Sequence, residues 1–421
     1  MNTKQDLVKK DSAIYSAWEI NFPGEVVMIA KILAERGFVA YCVGGCVRDS
    51  VMGRTPADWD MTTDARPENM LEIFNGAGIR TIPTGLKHGT VTAIINHKPF
   101  EITTFRIDGK YTDSRRPDSV TFSSNIVEDL RRRDFTVNAM AANPLCDHNN
   151  NYIAEIVDPF SGLADIKNKI IRCVGNPIER FSEDALRILR AVRFASVLGY
   201  EIEQDTLSAA AKLSHKLADI SAERKAVELE KTLLSNNPDV GFDALCAIGA
   251  AKYIHGEFHK PSIPLKSLPK SFSARLAALV EGEDPPSLAS MKLSGEITRE
   301  TTLIANRKLY FNCCRYFDEN MSANARYMIS KYKNSAESAA ALRGDDQLLA
   351  AILAERANEK LVTEISCLKV DGNKLMAIGI PQKTLGKILS QMLLEVIRDP
   401  SMNNEESLVC LAKEIVEREI G

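Results

Sequence analysis

The chain lacks Cys-x-x-Cys spacing, a histidine cluster, a long apolar run and an excess of either charge. Each lack removes a class of function. Its nine cysteines are an odd number, and Cys42/Cys46 and Cys313/Cys314 fit neither a zinc ribbon nor a disulfide framework. Reduced thiols in a cytoplasmic protein are the expectation. Six histidines are present. His255 and His259 stand four apart, but Gly256 weakens a helix there and no His-Glu-x-x-His pattern exists, so zinc is not expected. No stretch reaches the roughly 18 unbroken apolar residues of a membrane span, and the N-terminus has no apolar core of signal-peptide type. Lys and Arg number 53 against 56 Asp and Glu, a formal charge of −3. No global basic field therefore advertises a nucleic-acid partner, although a local patch on a near-neutral protein still binds phosphates.

What is present is ordinary globular composition, with 45% hydrophobic and 26% charged residues, over 421 residues, enough for several units. The first third reads as mixed α and β. Glu25 to Arg36 has helical apolar spacing (Val27, Ile29, Ala30, Leu33) closed by Gly37. "FVAYCVGG" reads as a buried strand running into glycines, and Cys46 to Met52 as a short helix stopped by Gly53. "ADWDMTT" alternates like a strand, and "HGTVTAIINHKPFEITTFR" like a hairpin. A polar loop, "IDGKYTDSRRPDSV", follows. After about Asp165 helical periodicity dominates. Ser182 and Ser221 are expected as N-caps and Gly199 as a C-terminal stop.

The chemistry concentrates in "YCVGGCVRDSVMGRTPADWDMTT". On a strand, Asp58 and Asp60 share one face and Trp59 takes the other. Two adjacent carboxylates repel each other, and Mg²⁺, a hard ion that takes oxygen ligands, resolves the repulsion. Gly44 and Gly45 let backbone N–H groups approach a phosphate at a helix start, and Arg48 on that helix has a fork suited to phosphate oxygens. Either motif alone is commonly a plain turn or a solvated strand face; their order and spacing point to metal-assisted phosphoryl chemistry. Glu101 is a possible third carboxylate on a neighbouring strand, or an exposed strand residue. Further on, Asp184, Arg187, Arg190 and Arg193 recur every three residues, on one face of a helix. A solvated face would explain them. An Asp–Arg pair, one acceptor-only and one donor-only, would also accept the Watson–Crick edges of cytosine and adenine while refusing guanine and uracil. Arg190 and Arg193 would face phosphates or brace that pair.

Four motifs in order, "GGCVRD" with "DWD", "RRRDFTVNAMA", "DPFSGLADIKNKIIRCVGNPIERFSEDALRILRAVRFA" and "SAERKAVELEKTLL", make the chain resemble the class II tRNA nucleotidyltransferases, the CCA-adding enzymes and their relatives. The resemblance implies an α+β fold, with a small mixed-sheet nucleotidyltransferase head (1–165) and an all-α neck (166–260), body (261–345) and tail (346–421). It implies CTP, ATP and tRNA as partners, with Mg²⁺ as cofactor; no protein partner is expected. Asp58 and Asp60 match the metal-binding carboxylates. Gly45, Arg48 and Arg133 match nucleotide contacts, and Asp184 with Arg187 matches the base-reading template that Arg190 and Arg193 continue. The segment from Ile107 to Val120 matches a loop tied to switching between C and A, and "VDGNKLMAIGIPQKTLGKILSQMLLEVI" resembles the tail that grips the tRNA elbow. Arg133 and Asp134 could instead form a structural ion pair, and Asn138 could orient a loop or touch a sugar. Rival readings are an A-adding-only enzyme, a bacterial poly(A) polymerase and a non-catalytic RNA binder. Poly(A) polymerases typically carry a Gly-Arg-Arg-Phe-like stretch where this chain has "PTGLKHGTV".

Overall fold

A computed structural model describes residues 15–109, 119–145, 153–256 and 258–420. The chain divides into two compact units, Met1–Thr232 with Val240–Tyr253, and Leu233–Asp239 with Ile254–Gly421.

The first unit is built on an eight-stranded mixed sheet. Its strands are β1 (Tyr15–Glu19), β2 (Ala40–Val43), β3 (Met61–Thr63), β4 (Arg80–Gly85), β5 (Thr90–Ile95), β6 (Lys98–Thr104), β9 (Ala141–Asn143) and β10 (Ile153–Val157), while a separate ribbon pairs β7 (Arg106–Asp108) with β8 (Val120–Phe122). The spatial order is β1-β10-β9-β2-β3-β6-β5-β4. Every neighbouring pair is antiparallel except β3 and β6, which run parallel with Met61 opposite Ile102. The β5–β6 hairpin forms as the alternation predicts, and its turn places Asn96 and His97 at φ 51° and 63°, the left-handed pair a tight hairpin requires.

Helix α1 (Gly24–Ala34) buries Val26, Ile29, Ala30 and Leu33 against this sheet, and α3 (Pro67–Gly76) buries Met70, Ile73 and Phe74 in the same core. Val26, not Val27, is the inward residue. The ends of the Ile107–Val120 segment form the β7–β8 ribbon rather than loop, and residues 110–118 lie outside the described residues.

Further helices follow in the same unit. They are α2 (Gly45–Val51), α4 (Ile126–Arg131), α6 (Pro177–Glu183) and α7 (Leu186–Leu198), with α5 (Gly162–Asn168) between α4 and α6. The expected single helix through "RFSEDALRILRAVRFASVLGY" is two helices. Ser182 lies inside α6, and Asp184 breaks the helix with an extended backbone (φ −142°, ψ 105°). Its Oδ1 accepts the Leu186 N–H at 2.9 Å, so Asp184 takes the capping role expected of Ser182. Gly199 ends α7 at φ 71°, as expected.

The second unit is helical. Residues of Arg307–Cys314, Met321–Tyr332 and Asp346–Arg356 pack around Tyr310, Met328, Tyr332 and Ile352, and a second cluster gathers Leu375, Ile388, Met392, Val396 and Leu408. Buried Arg326 ties Met321–Tyr332 to the end of the Leu385–Arg398 helix, donating to the Ile397 and Arg398 carbonyls and pairing with Glu355 at 2.7 Å.

Candidate active site

The site grows from the end of β2. The chain leaves Val43, turns at Gly44 and enters α2 at Gly45. Gly44 has φ 77°, and a Cβ built on it would lie 2.9 Å from Arg133 Nη1. Backbone conformation and the close approach of a guanidinium both demand glycine there. The Val43 N–H donates to the Asp60 carbonyl at 3.0 Å, which holds the acidic segment beside the turn.

The strand expected through "ADWDMTT" begins only at Met61. Its neighbour β2 ends at Val43, where Gly44 turns the chain away, so the preceding residues lose their ladder. The alternation survives without it. Trp59 packs half-buried against Phe22, with ring centroids 5.5 Å apart, while Asp58 and Asp60 reach solvent. The parallel register of β3 with β6 sets Glu101 level with Asp60. Protein packing raises the Asp60 carboxyl above its ordinary pKa, and the charges of Asp58 and Glu101 raise it further, with Arg133 opposing them. This is an acidic cluster short of positive charge.

Arg48, expected at the phosphates, has protein partners as well. It is 8% exposed, and its guanidinium is engaged by Asp49 at 2.8 Å and by Asn138 Oδ1 at 2.6 Å. It thus braces the Gly44 turn against the Thr136–Asn138 segment, with Asn138 as the acceptor. Arg133 pairs not with its neighbour Asp134 but with Asp129, at 3.3 Å.

The base-reading candidates are also partnered otherwise than helical spacing suggests. Because Asp184 precedes α7 in extended conformation, it does not pair with Arg187; its Oδ2 meets Arg224 at 3.3 Å. Arg187 pairs with Glu183 at 2.5 Å and donates to the Arg132 carbonyl at 3.3 Å. Arg190 pairs with Asp134 at 2.6 Å, and Arg193 with Glu228 at 2.7 Å. Burial would raise the Asp134 carboxyl, but Arg190 and Arg187 outweigh it and hold it below the usual range. Three guanidinium groups, those of Arg48, Arg190 and Arg193, lie 4.2 to 5.5 Å from the Phe194 ring centre. Phe194 is therefore a shared platform for the two groups of candidates, and it was invisible as one because its sequence position reads as plain helix core. Arg224 and Glu228 were missed as well; their four-residue spacing in "SAERKAVELEK" is the signal that could have found them.

The structure thus brings Gly44, Gly45, Asp58, Asp60, Glu101 and Arg133 to one place, with Arg48 supporting it. Among the described residues, no three His, Cys, Asp or Glu side chains form a ready-made metal cage. The donor set still fits a hard cation: exposed carboxylates that repel one another, with oxygen the only ligand type. Mg²⁺ commonly uses one or two carboxylates and completes its shell with water and substrate phosphate.

A model of the poly(A) polymerase head domain matches residues 40–172, and one described as a probable RNA- and SrmB-binding site of polymerase A matches 199–260. A CCA-adding enzyme of Ligilactobacillus salivarius is 35% identical over 95% of this chain and 99% of that one. The chain belongs to the CCA-adding enzyme family. Another member, from Enterococcus faecalis, is 32% identical over 93% of this chain and 96% of its own. The crystal structure of the Bacillus stearothermophilus CCA-adding enzyme in complex with CTP superimposes with a TM-score of 0.72 at 29% identity, covering 94% of this chain and 98% of that one. Enzymes of the CCA-adding family are nucleotidyltransferases, generally metal-dependent.

Proposed function

We propose that this chain adds CMP and AMP from CTP and ATP to the 3′ end of tRNA, releasing pyrophosphate. The observation that carries the reading is the acidic cluster of Asp58, Asp60 and Glu101 facing a glycine turn and a guanidinium, on a chain that follows CCA-adding enzymes over nearly its whole length. The tRNA 3′-hydroxyl oxygen bonds to the α-phosphorus of the nucleotide, and the bond from that phosphorus to the bridging oxygen of the β-phosphate breaks. Asp58 and Asp60 would hold Mg²⁺, with Glu101 adding to the negative field. When bound, the ion lowers the pKa of the hydroxyl and neutralises the leaving group.

The chain's own residues do the rest. The Gly44 N–H is taken by the Met140 carbonyl at 3.2 Å, so the turn offers the Gly45 N–H and the start of α2 to the phosphates, and Arg133 adds a positive charge on the same side. Arg48 holds the turn in shape. Asp184 and Arg187 sort bases at the start of α7, and the pairing of Asp184 with Arg224 gives the acceptor a fixed orientation. Arg190 and Arg193, tied to Asp134 and Glu228, brace α7. We assign head, neck, body and tail to 1–165, 166–260, 261–345 and 346–421. The tail contacts the tRNA elbow, where the start of the Leu385–Arg398 helix, with Gly386 and Lys387, offers a phosphate contact. The described cysteines are free thiols and no described helix is long and apolar enough to cross a membrane, which supports the cytoplasm as the place of action.

Incubating the full chain with tRNA lacking its last three nucleotides, and labelled CTP or ATP singly and together, tests the reading. CTP alone should give two additions and both nucleotides three. Absence of C incorporation on that tRNA would refute full CCA addition, and A incorporation only on tRNA ending in CC would establish the A-adding activity instead.

A further inference from the structure

Asp129 belongs to no motif that spacing picked out, yet it is 0% exposed and carries a charge. It sits on the inner face of α4. Its Oδ1 accepts from Arg132 Nε at 3.0 Å and Nη2 at 2.8 Å, and its Oδ2 from Arg133 Nη2 at 3.3 Å. The Arg106 N–H also points at Oδ1, at 3.4 Å. A buried carboxylate with two guanidinium partners is a completed ion cluster, and removing its charge takes the ion-pair partner from Arg133, while Arg132 keeps the more distant Asp108 at 3.9 Å.

The position of Arg133 gives this cluster a consequence beyond packing. Arg133 lies between two negative attractions. On one side is Asp129. On the other is the cluster of Asp60, Asp58 and Glu101, which is short of positive charge and which feels the Arg133 guanidinium. Arg133 Nη1 already lies against the Gly44 turn, and its Nε is buried without a hydrogen-bond partner. Among the described residues, Asp129 is the ion-pair partner that holds the Arg133 side chain away from the acidic cluster.

We infer that Asp129 is a positioning residue that restrains Arg133, keeping its guanidinium at the Gly44 turn, where a phosphate would lie, and off the carboxylates that a divalent cation would occupy. This rests on the active-site reading above. Without the restraint, Arg133 would swing toward Asp60, act as an internal counter-ion and compete with the metal.

The test uses the full chain and Mn²⁺ as the probe, followed by its paramagnetic signal in the presence of CTP, alongside KM for CTP in transfer to tRNA. Asp129→Asn should weaken Mn²⁺ binding about tenfold and raise KM for CTP by a similar factor, the scale of one lost charge-assisted hydrogen bond. In an Arg133→Gln background the same change should shift Mn²⁺ binding less than about twofold, because no guanidinium remains to compete. Should Asp129→Asn fail to fold, the charge-balanced pair Asp129→Asn with Arg132→Gln replaces it, with Arg132→Gln alone as its control. The pair should show the weakened Mn²⁺ binding and the control should not. Unchanged Mn²⁺ binding in either Asp129 variant, or an equal loss with and without Arg133, would overturn the inference. Wild-type chain that binds Mn²⁺ with CTP but transfers nothing would count against the transfer reading and leave this one standing.

Discussion

Two groups of aspartates in the first unit have opposite electrostatics. Asp58 and Asp60, with Glu101, repel one another, and Asp60 has its carboxyl pushed up by packing and by like charge. Asp129 and Asp134, a short distance along the chain, are more deeply buried, yet both are held below the ordinary carboxylate range, because arginines outweigh the cost of burial. The same side chain is thus used in two ways. In one group the charges are closed among themselves and the gain is a fixed backbone. In the other they are left open, which costs stability and creates a place for a cation and a triphosphate. A protein keeps such an uncompensated cluster only where function needs it.

The largest expected effect would break the comparison outright. Asp60→Ala should reduce incorporation of labelled CMP into tRNA by about a thousandfold or more, the scale of losing a metal that stabilises the transition state, while tRNA affinity in a filter-binding assay stays close to wild type. Retained transfer would move the reaction away from this cluster.

Asp134→Asn tests the closed group. Breaking its pair with Arg190 should cost about 2–3 kcal/mol in urea unfolding, below the range for fully buried pairs because the Arg190 side chain is 34% exposed. The pH dependence follows from the depressed carboxyl. The wild type holds the full contribution above the ordinary aspartate value near 4 and loses it as pH falls through the lower folded value. The gap between wild type and variant should therefore be widest near neutrality and close below about pH 4.

A smaller effect sharpens the boundary between the groups. Asp184→Ala should lower the preference for C and A over G and U by about tenfold, the scale of one lost bidentate base contact, with less effect on the rate of CTP transfer in single-turnover assays. Selection left intact would remove Asp184 from base reading and leave it a helix cap paired with Arg224.

How much of this was legible in the sequence follows the range of the interaction. The glycine turn, the Asp58/Trp59/Asp60 alternation, the β5–β6 hairpin and the Gly199 stop are local, and local pattern found them. The break at Asp184 is local too, but Ser182 and Asp184 are both good caps two residues apart, and nothing in the pattern chooses between them. The arginine partners were out of reach for a different reason. Arg190 finds Asp134, and Arg193 finds Glu228, across 56 and 35 residues, so only folding brings the pairs together. Helical spacing set Asp184 and Arg187 on one face; Asp184 instead meets Arg224, 40 residues away, while Arg187 takes Glu183, four residues before it.

The central claim is that the acidic cluster is electrostatically open while its neighbour is closed. Thermal unfolding of Asp60→Asn, measured beside wild type at pH 7 with chelator and no nucleotide, tests it most directly. Asp60 ionises at a cost in the folded state, so neutralising it should leave the midpoint at or slightly above wild type. A fall as large as that of Asp134→Asn would show that Asp60 is as firmly compensated as the buried pair, and would contradict the account.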